Sequence, residues 1–307
     1  MNYEAYRLKF KGAVHFGSHS LESGCSSFCA DTLFSALCQE ALKKGGDTLQ
    51  QFYAYAKSGQ LLLSDAFPYA QDCYFVPKPV MHIESNHSRG DSVVKKAYKK
   101  LKYIPIDAMH EYVSGQYDVL HAPDLSGMGE SVMKVSASIR GEEETKPYRM
   151  ETYYFHEGNG LYLILGYQDK QVLSLVQELL QALSYSGIGG KKASGMGRFS
   201  LLPAQLSEGF LKKTEAQHKT YMSLSVSLPR DDELDQALFE AQYLVCKRSG
   251  FVDSIQYANT QMRKRDLYVL QAGSCFRTKY EGDVYDVSGQ GGNHPVYRYA
   301  KPMFMEV

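Results

Sequence analysis

The segment between residues 187 and 199 combines many glycines with positive charge. Between Gly187 and Arg198 stand five glycines, three cationic side chains and no acidic residue. Glycine allows left-handed backbone conformations and lets amide N–H groups come close to an anion. The pattern predicts a loop whose amides hold phosphates while its cations screen the charge. The candidate residues are Gly187, Ile188, Gly189, Gly190, Lys191, Lys192, Ser194, Gly195, Gly197 and Arg198.

A flexible connector between a helix and a strand is the alternative for this segment. The segment follows a predicted helix, precedes a predicted strand and lacks a Gly-Lys-Ser/Thr ending. It therefore differs from nucleotide-binding loops that lead from a strand into a helix. Because glycines and cations are both dense here, anion binding is the favoured interpretation.

A second basic segment spans residues 89–102. Six cationic side chains stand against Asp91 alone, with Tyr98 and Tyr103 interleaved. Such a run is able to follow a nucleic-acid backbone, with Lys96 and Lys100 as candidate contacts. A solvated, partly disordered loop explains the same pattern equally well.

Glycines and a cation occur together again in residues 288–299, just before the last predicted strand. The candidate contacts there are Gly291, Gly292, His294 and Arg298. Phosphate contact and an ordinary turn are equally compatible with this composition.

A short segment after the first predicted strand contains His15, Phe16, Gly17 and Ser20. His15 is a candidate RNA contact or general base, although a lone histidine in a loop usually is neither. No Ser-His-Asp set, no His-Glu metal motif and no zinc-ligand spacing of cysteines is visible in the sequence. We therefore expect no catalytic residue, no metal site and no cofactor.

The elements that must position these residues follow the order strand, helix, hairpin, helix, strand. The strands are predicted at 3–10, 149–157, 160–167 and 198–202, and the helices at 32–44, 47–57 and 170–186. This is the β-α-β-β-α-β order of a ferredoxin-like (RRM-like) unit. Residues 60–148 carry six prolines and no long periodic pattern, and we interpret them as an insertion of short strands and loops.

A polar linker at residues 203–218 precedes a second unit. Strands are predicted at 221–228, 265–270, 273–279 and 296–307, with a helix at 232–248. The predicted fold is thus α+β, with two ferredoxin-like modules. The first covers residues 1–203 with an insertion at about 60–148, and the second is a degenerate copy at 219–307.

Composition limits the functional classes. The chain has 307 residues, enough for two domains, and a formal net charge of zero. Free-standing nucleic-acid binders usually carry a positive excess, so neutrality favours a local basic surface with other faces covered by proteins. Six scattered cysteines, no signal peptide and no apolar run long enough to span a membrane predict a cytoplasmic protein.

Several segments together resemble the RAMP superfamily of CRISPR proteins, whose hallmark is a glycine-rich loop between the last helix and last strand of a ferredoxin-like unit. More closely, the sequence resembles the fourth subunit of the type III-A Csm effector complex. The segments that carry this resemblance are residues 8–12, 15–17, 28–37, 67–69, 74–79, 100–105 and 291–298.

The resemblance implies a non-catalytic subunit that holds the repeat-derived 5′ tag of the guide RNA. It also implies partners: the large signalling subunit, which carries polymerase-type and DNase activities, and the RAMP backbone subunits, which this protein would join to it. The lysine-rich insertion would belong to the thumb that RAMP subunits place against the guide–target duplex. The family often has serine where this chain has Cys29, which puts a hydroxyl contact there in doubt.

Two other functions remain open from the sequence. One is a metal-independent guide-processing endoribonuclease of the same superfamily, with His15 as acid or base and Lys191 stabilising charge. The other is a scaffold subunit that makes no contact with RNA.

Overall fold

The computed structural model describes residues 1–17, 20–83, 92–138, 146–206, 220–254 and 256–307. Their mixture of helices and strands confirms the α+β class. The helices are α1 Ala30–Lys44, α2 Gly46–Lys57, α3 Ser92–Lys100, α4 Met109–Val113, α5 Lys170–Ser186 and α6 Leu234–Leu238. None of the helices in the described ranges is both long and apolar enough to cross a membrane.

The strands are numbered in chain order. They are β1 Asn2–Phe10, β2 Phe16–Gly17, β3 Gly24–Cys25, β4 Leu61–Leu63, β5 Phe67–Ala70, β6 Cys73–Pro77, β7 Tyr103–Pro105, β8 Gly129–Ser138, β9 Lys146–Phe155, β10 Asn159–Tyr167, β11 Phe199–Ala204, β12 Tyr221–Ser223, β13 Val245–Arg248, β14 Leu267–Leu270, β15 Cys275–Phe276, β16 Asp283–Asp286, β17 Tyr297–Ala300 and β18 Phe304–Glu306.

The largest sheet is antiparallel and has seven strands in the order β11-β1-β10-β5-β6-β7, with β4 also paired to β10. Strand β10 lies inside it and is apolar on both faces. Leu161, Leu163 and Leu165 face the helices, whereas Tyr162 and Ile164 face a second core. A strand covered on both sides reads as a continuous apolar run rather than an alternating one, which explains the sequence from 161 to 165.

Helices α1 and α5 pack on one face of this sheet. α5 begins at Asp169, whose carboxylate accepts hydrogen bonds from the amides of Gln171 and Val172 at 2.8 and 3.1 Å. It ends at Gly187, which has φ +84° and lets the chain turn sharply into the glycine-rich loop. This helix is therefore fixed at both ends by the residues that sequence rules predict.

The C-terminal residues form a three-stranded sheet, β15-β12-β18, and two ribbons, β13-β14 and β16-β17. Tyr299 and Val269 lie in the same core as α1 and α5, whereas Met222 and Met303 lie in the core on the other face of the main sheet. The C-terminal residues thus complete both cores of the N-terminal part.

Asp65 joins the two parts of the chain. Its buried Oδ1 accepts hydrogen bonds from the amide of Ala30, at the start of α1, and from the amide of Val226, at 2.8 and 3.0 Å. Burial is the largest influence on this carboxyl and raises its pKa to about 7. One side chain therefore fixes the start of α1 against the segment that follows β12.

The predicted hairpin of residues 149–157 and 160–167 is wrong in its pairing. β9 pairs along its whole length with β8, from Gly129 opposite Phe155 to Ser138 opposite Lys146. β10 instead pairs with β1, β4 and β5. Both strands exist where the sequence predicted them, but local alternation does not identify a strand's partner. The predicted insertion also contributes β4, β5 and β6 to the main sheet.

The predicted helix at 232–248 is wrong beyond its first turns. α6 ends at Leu238, Glu240 has φ +52°, and residues from Val245 form β13. A non-glycine residue in the left-handed region breaks helical continuity. The aromatic and β-branched residues after it, Tyr243 and Val245, favour a strand.

The basic segment forms a helix from residue 92 onward rather than a loop. Val94, Ala97 and Tyr98 of α3 pack into a small core, whereas Lys96 and Lys100 are exposed. Arg89 and Asp91 lie outside the described residues, as does most of the predicted linker.

Candidate nucleic-acid interface

An open groove of about 520 Å³ lies where five parts of the chain meet. One side consists of residues 15–17 and the glycine-rich loop at 188–192. The N-terminal half of α1 forms the floor, and β13 and the start of β17 form the opposite side. The groove therefore includes residues from both ends of the chain.

Glycine is required in the loop because the chain passes very close to its neighbours. Gly197 has φ +75°, and a Cβ there would lie 2.0 Å from the carbonyl oxygen of Ile188. A Cβ on Gly189, which has φ +98°, would lie 2.6 Å from the carbonyl oxygen of His15. Any other residue at these positions would be strained by its backbone conformation and would collide with main-chain atoms.

Six loop amides already have acceptors within the protein. Gly190 N–H donates to the His15 carbonyl at 2.8 Å, and Gly197 N–H donates to the Ala13 carbonyl at 2.9 Å. The amides bonded to backbone carbonyls are those of Gly187, Ile188, Gly190, Ser194, Gly195 and Gly197. The expected row of amides facing an anion is not formed by these six, because Gly190 and Gly197 bond to residues 13–15 and the other four bond within the loop or to the last turn of α5.

The three cations of the loop are separated by the fold. Lys192 lines the groove, where its Nζ donates to Gln39 at 2.7 Å and lies 3.7 Å from the Asp253 carboxylate. Lys191 points elsewhere: its Nζ donates to the Tyr148 hydroxyl at 2.8 Å and lies 4.7 Å from that ring's centre. Arg198 is exposed and does not line the groove. Only Lys192 therefore brings the loop's charge into the groove.

Further cations come from the C-terminal strands. Arg298, which the sequence did single out, lines the groove together with Lys247, Arg248 and Lys264, which it did not. The search for segments that combine glycines with cations misses these three residues, because they lie in or near strands β13 and β14, which contain no glycine. In total the groove is lined by five lysines and arginines against two carboxylates, Asp31 and Asp253.

Asp31 anchors the two arginines. Its side chain is 3% exposed and accepts from Arg248 at 2.7 and 2.9 Å and from Arg298 at 2.5 Å. Burial is the largest influence and by itself would raise the pKa of the Asp31 carboxyl. The charges and hydrogen bonds of Arg248, and after them those of Arg298, together outweigh burial and lower the pKa below its usual value. Two guanidinium groups thus share one carboxylate, which leaves positive charge at the groove surface.

The Nε of Arg298 is buried and has no hydrogen-bond partner among the described residues. A buried donor without an acceptor costs about 1–3 kcal/mol. The guanidinium lines the groove, but its Nε is enclosed, so this donor is not available to a bound anion.

His15 also lines the groove, and its side chain is held from behind. The residue is 5% exposed, and its Nδ1 lies 2.7 Å from the Glu151 carbonyl oxygen in β9. Phe16 and Gly17 follow it as β2. These two residues line the same groove as the glycine-rich loop, although they are far from it in sequence.

The predicted site residues therefore fall into two sets. Those that line the groove are His15, Phe16, Gly17, Ile188, Gly189, Gly190, Lys192 and Arg298. Those that do not are Ser20, Lys96, Lys100, Gly187, Lys191, Ser194, Gly195, Gly197, Arg198, Gly291, Gly292 and His294.

Three members of the second set have other surroundings. Lys100 lines a separate groove of about 430 Å³ beside Tyr103. His294 packs edge-on against Tyr257 and bonds to Ser254 at 2.9 Å, and a Cβ on Gly292 would lie 2.1 Å from the Tyr257 ring. These contacts explain the glycine and histidine of that segment by packing.

Comparisons with known proteins agree with one another. The family described as the CRISPR Csm4 C-terminal domain matches residues 216–307. Over 307 residues the chain is 38% identical to the CRISPR system Cms protein Csm4 of Mycobacterium tuberculosis (strain CDC 1551 / Oshkosh), covering 99% of this chain and 98% of that protein.

Two solved structures share the fold. A chain of the Csm3-Csm4 subcomplex in the type III-A CRISPR-Cas interference complex superposes with a TM-score of 0.68 at 18% identity, covering 98% of both chains. A chain of the Csm1-Csm4 cassette in complex with cA4 gives a TM-score of 0.64 at 16% identity, covering 99% of this chain and 96% of that one. Since the full-length sequence similarity extends over both parts of the chain, the chain belongs to the Csm4 family of CRISPR proteins.

Proposed function

We propose that this chain is a non-catalytic, RNA-binding subunit of a type III-A CRISPR effector complex, and that its groove holds the 5′ tag of the guide RNA. The observation that supports this most directly is the meeting of five cationic side chains, the 15–17 segment and the glycine-rich loop in one open groove. Loops that are distant in sequence converge on a surface suited to a polyanion.

The groove suits a single strand better than a duplex. Its volume of about 520 Å³ is the size of a few nucleotides. An unpaired strand offers phosphates to Arg298, Arg248 and Lys192, and its 2′-hydroxyls and bases remain free for other contacts. Neutral net charge fits a subunit whose basic surface is confined to such a site.

The proposal includes two protein partners. A relative of similar fold forms a subcomplex with Csm3, and another forms a cassette with Csm1. By analogy, this chain would join the large polymerase- and DNase-containing subunit to the RAMP backbone subunit. Soluble partners of this kind would keep the chain in the cytoplasm.

The non-catalytic part of the proposal rests on side-chain positions. The endoribonuclease alternative requires Lys191 to stabilise charge near His15. Lys191 instead donates to the Tyr148 hydroxyl and does not line the groove. The contact favours binding over cleavage in this groove.

Strand order supports the finer fold proposal for the first module. The four strands of this module, in chain order, are β1, then β4 or β5, then β10, then β11. In the sheet they lie in the order fourth, first, third, second. All neighbouring pairs are antiparallel, and α1 and α5 follow the first and third strands. These are the features of a ferredoxin-like unit. A degenerate second module at 219–307 remains our proposal for the C-terminal residues.

The test is a charge reversal in the groove. Lys192→Glu with Lys264→Glu changes two lining residues that are distant in sequence, and complexes carrying both changes should retain at least about tenfold less guide RNA. The slope of log retention against log salt should fall by roughly 1.4, because each lost phosphate contact to a single strand removes about 0.7 unit. Guide content per purified complex, measured by gel after RNA extraction, gives the readout.

The matched control is Lys9→Glu with Lys170→Glu, which reverses two exposed lysines outside the groove. This variant should assemble with normal guide content. Normal guide content in the groove variant, with subunit assembly intact, would refute tag binding in this groove.

A further inference from the structure

His15 presents one ring nitrogen to the protein and the other to the groove. Its Nδ1 lies 2.7 Å from the Glu151 carbonyl oxygen, which is able only to accept a hydrogen bond. Nδ1 must therefore carry the hydrogen. In the neutral ring, Nε2 is then an acceptor with a free lone pair.

The edge of the ring that carries Nε2 and Cδ2 faces glycines. A Cβ atom added to Gly17 would lie 3.5 Å from Nε2 of His15, and one added to Gly190 would lie 2.7 Å from Cδ2 of His15. Both glycines line the groove with His15. A side chain on Gly190 would press on the ring, so glycine there keeps this edge open.

No hydrogen bond to Nε2 is formed within the part of the chain that the structure describes. The ring itself is 5% exposed and fixed through Nδ1. The five cations of the groove bind phosphates of RNA and DNA alike, whereas a fixed acceptor needs a donor from the strand. The ribose 2′-hydroxyl is a donor that only RNA carries.

Given the proposed function, we propose that Nε2 of His15 accepts a hydrogen bond from one ribose 2′-hydroxyl of the strand in the groove, and that this contact selects RNA over DNA. The 2′-hydroxyl is the group that distinguishes the two polymers at a given site. A neutral hydrogen bond of about 0.5–1.5 kcal/mol corresponds to a preference of roughly two- to tenfold.

The experiment is a competition during assembly of the effector complex. Equal amounts of two guides are offered, one all-ribose and one with 2′-deoxy sugars throughout the tag, and the bound ratio is measured after purification. Wild-type complexes should favour the ribose guide about fivefold. His15→Asn keeps an amide N–H near the position of Nδ1 but removes the acceptor at Nε2, so its ratio should fall to about one.

A second measurement needs no variant. A series of guides carries one 2′-deoxy sugar each, at a different tag position. In wild-type complexes only one of these guides should bind less well than the all-ribose guide, and it should lose the full preference. A wild-type ratio of one, or an unchanged ratio in His15→Asn complexes, would overturn the 2′-hydroxyl contact. Either result leaves tag binding intact as long as the Lys192 and Lys264 reversal still lowers guide content, so the two proposals fail separately.

Discussion

Two buried aspartates show how partners decide the charge of a side chain. Asp31 and Asp65 are both almost fully enclosed. Two guanidinium groups lower the pKa of the Asp31 carboxyl against the effect of burial, whereas burial dominates for Asp65 and raises its pKa to about 7. Asp31 therefore remains ionised and holds the groove arginines, while Asp65 exchanges a proton near neutral pH.

Replacing Asp65 by asparagine should remove a pH dependence of stability. The folded pKa of about 7 lies above the ordinary aspartate value of 3.8, so between these values the folded protein holds a proton that the unfolded chain has lost. The wild type therefore loses this stabilisation as pH rises from about 4 to 7. Asparagine stays neutral and keeps the Oδ1 acceptor for Ala30 and Val226.

The free energy of unfolding of Asp65→Asn minus that of the wild type should increase between pH 5 and pH 8, by at most about 3 kcal/mol. Urea unfolding at both pH values measures it. Asp72→Asn changes a carboxylate whose side chain is 98% exposed and should show no such increase. An equal difference at both pH values would contradict the assignment to Asp65.

At the scale of elements, the glycine-rich loop is a packed connection rather than a loose one. Its amides bond to residues 13–15 and to the loop itself. Lys191, with φ +58°, is held in the left-handed region between Gly190 and the short turn that follows. The loop thereby holds the 15–17 segment in place, and the two together form one side of the groove.

Alanine substitutions in this loop should separate backbone strain from collision. Gly195 and Gly197 both have left-handed φ values, +80° and +75°, but only Gly197 has an atom within reach of an added Cβ. Gly195→Ala should cost about 1 kcal/mol in unfolding free energy, and Gly197→Ala about 2–4 kcal/mol. Chemical denaturation of both variants measures these losses. Equal losses of unfolding free energy in the two variants would contradict the prediction.

The sequence predicted elements well where their signals are local. α5 matches its predicted limits of 170–186, because Asp169 caps one end and Gly187 ends the other. Pairing of β9 with β8 was not predicted, since alternation within a strand carries no information about its partner. On the opposite side of the groove, Arg298 was predicted, but Lys247, Arg248 and Lys264 were missed for a similar reason. Arg248, for example, meets Asp31 only through the tertiary fold.

At the scale of the whole molecule, the two parts of the chain share their cores. Phe34 of α1 packs on Tyr299 of β17 with ring centres 5.6 Å apart, and both are fully buried. On the other face of the main sheet, Ile164 lies in one core with Met222 and Met303. Each fully buried large side chain contributes about 1.5–3 kcal/mol, so neither part retains its stability alone.

Residues 1–206 expressed alone should therefore be insoluble or lack a cooperative thermal transition. Co-expression with residues 220–307 should restore a soluble pair that purifies together, because the buried faces are then covered. Size-exclusion chromatography and calorimetry of each preparation give the measurement. A separately folded 1–206 fragment with the stability of the whole chain would contradict the shared core.

The late position of Arg298 has a consequence during translation. A ribosome must synthesise nearly the whole chain before β17 is available to bring this arginine to Asp31. Until then a nascent polypeptide lacks one of the five groove cations and the strand that carries it, while messenger and ribosomal RNA surround it. If the groove binds guide RNA as proposed, this timing protects it from occupation by those abundant transcripts until the protein has left the ribosome.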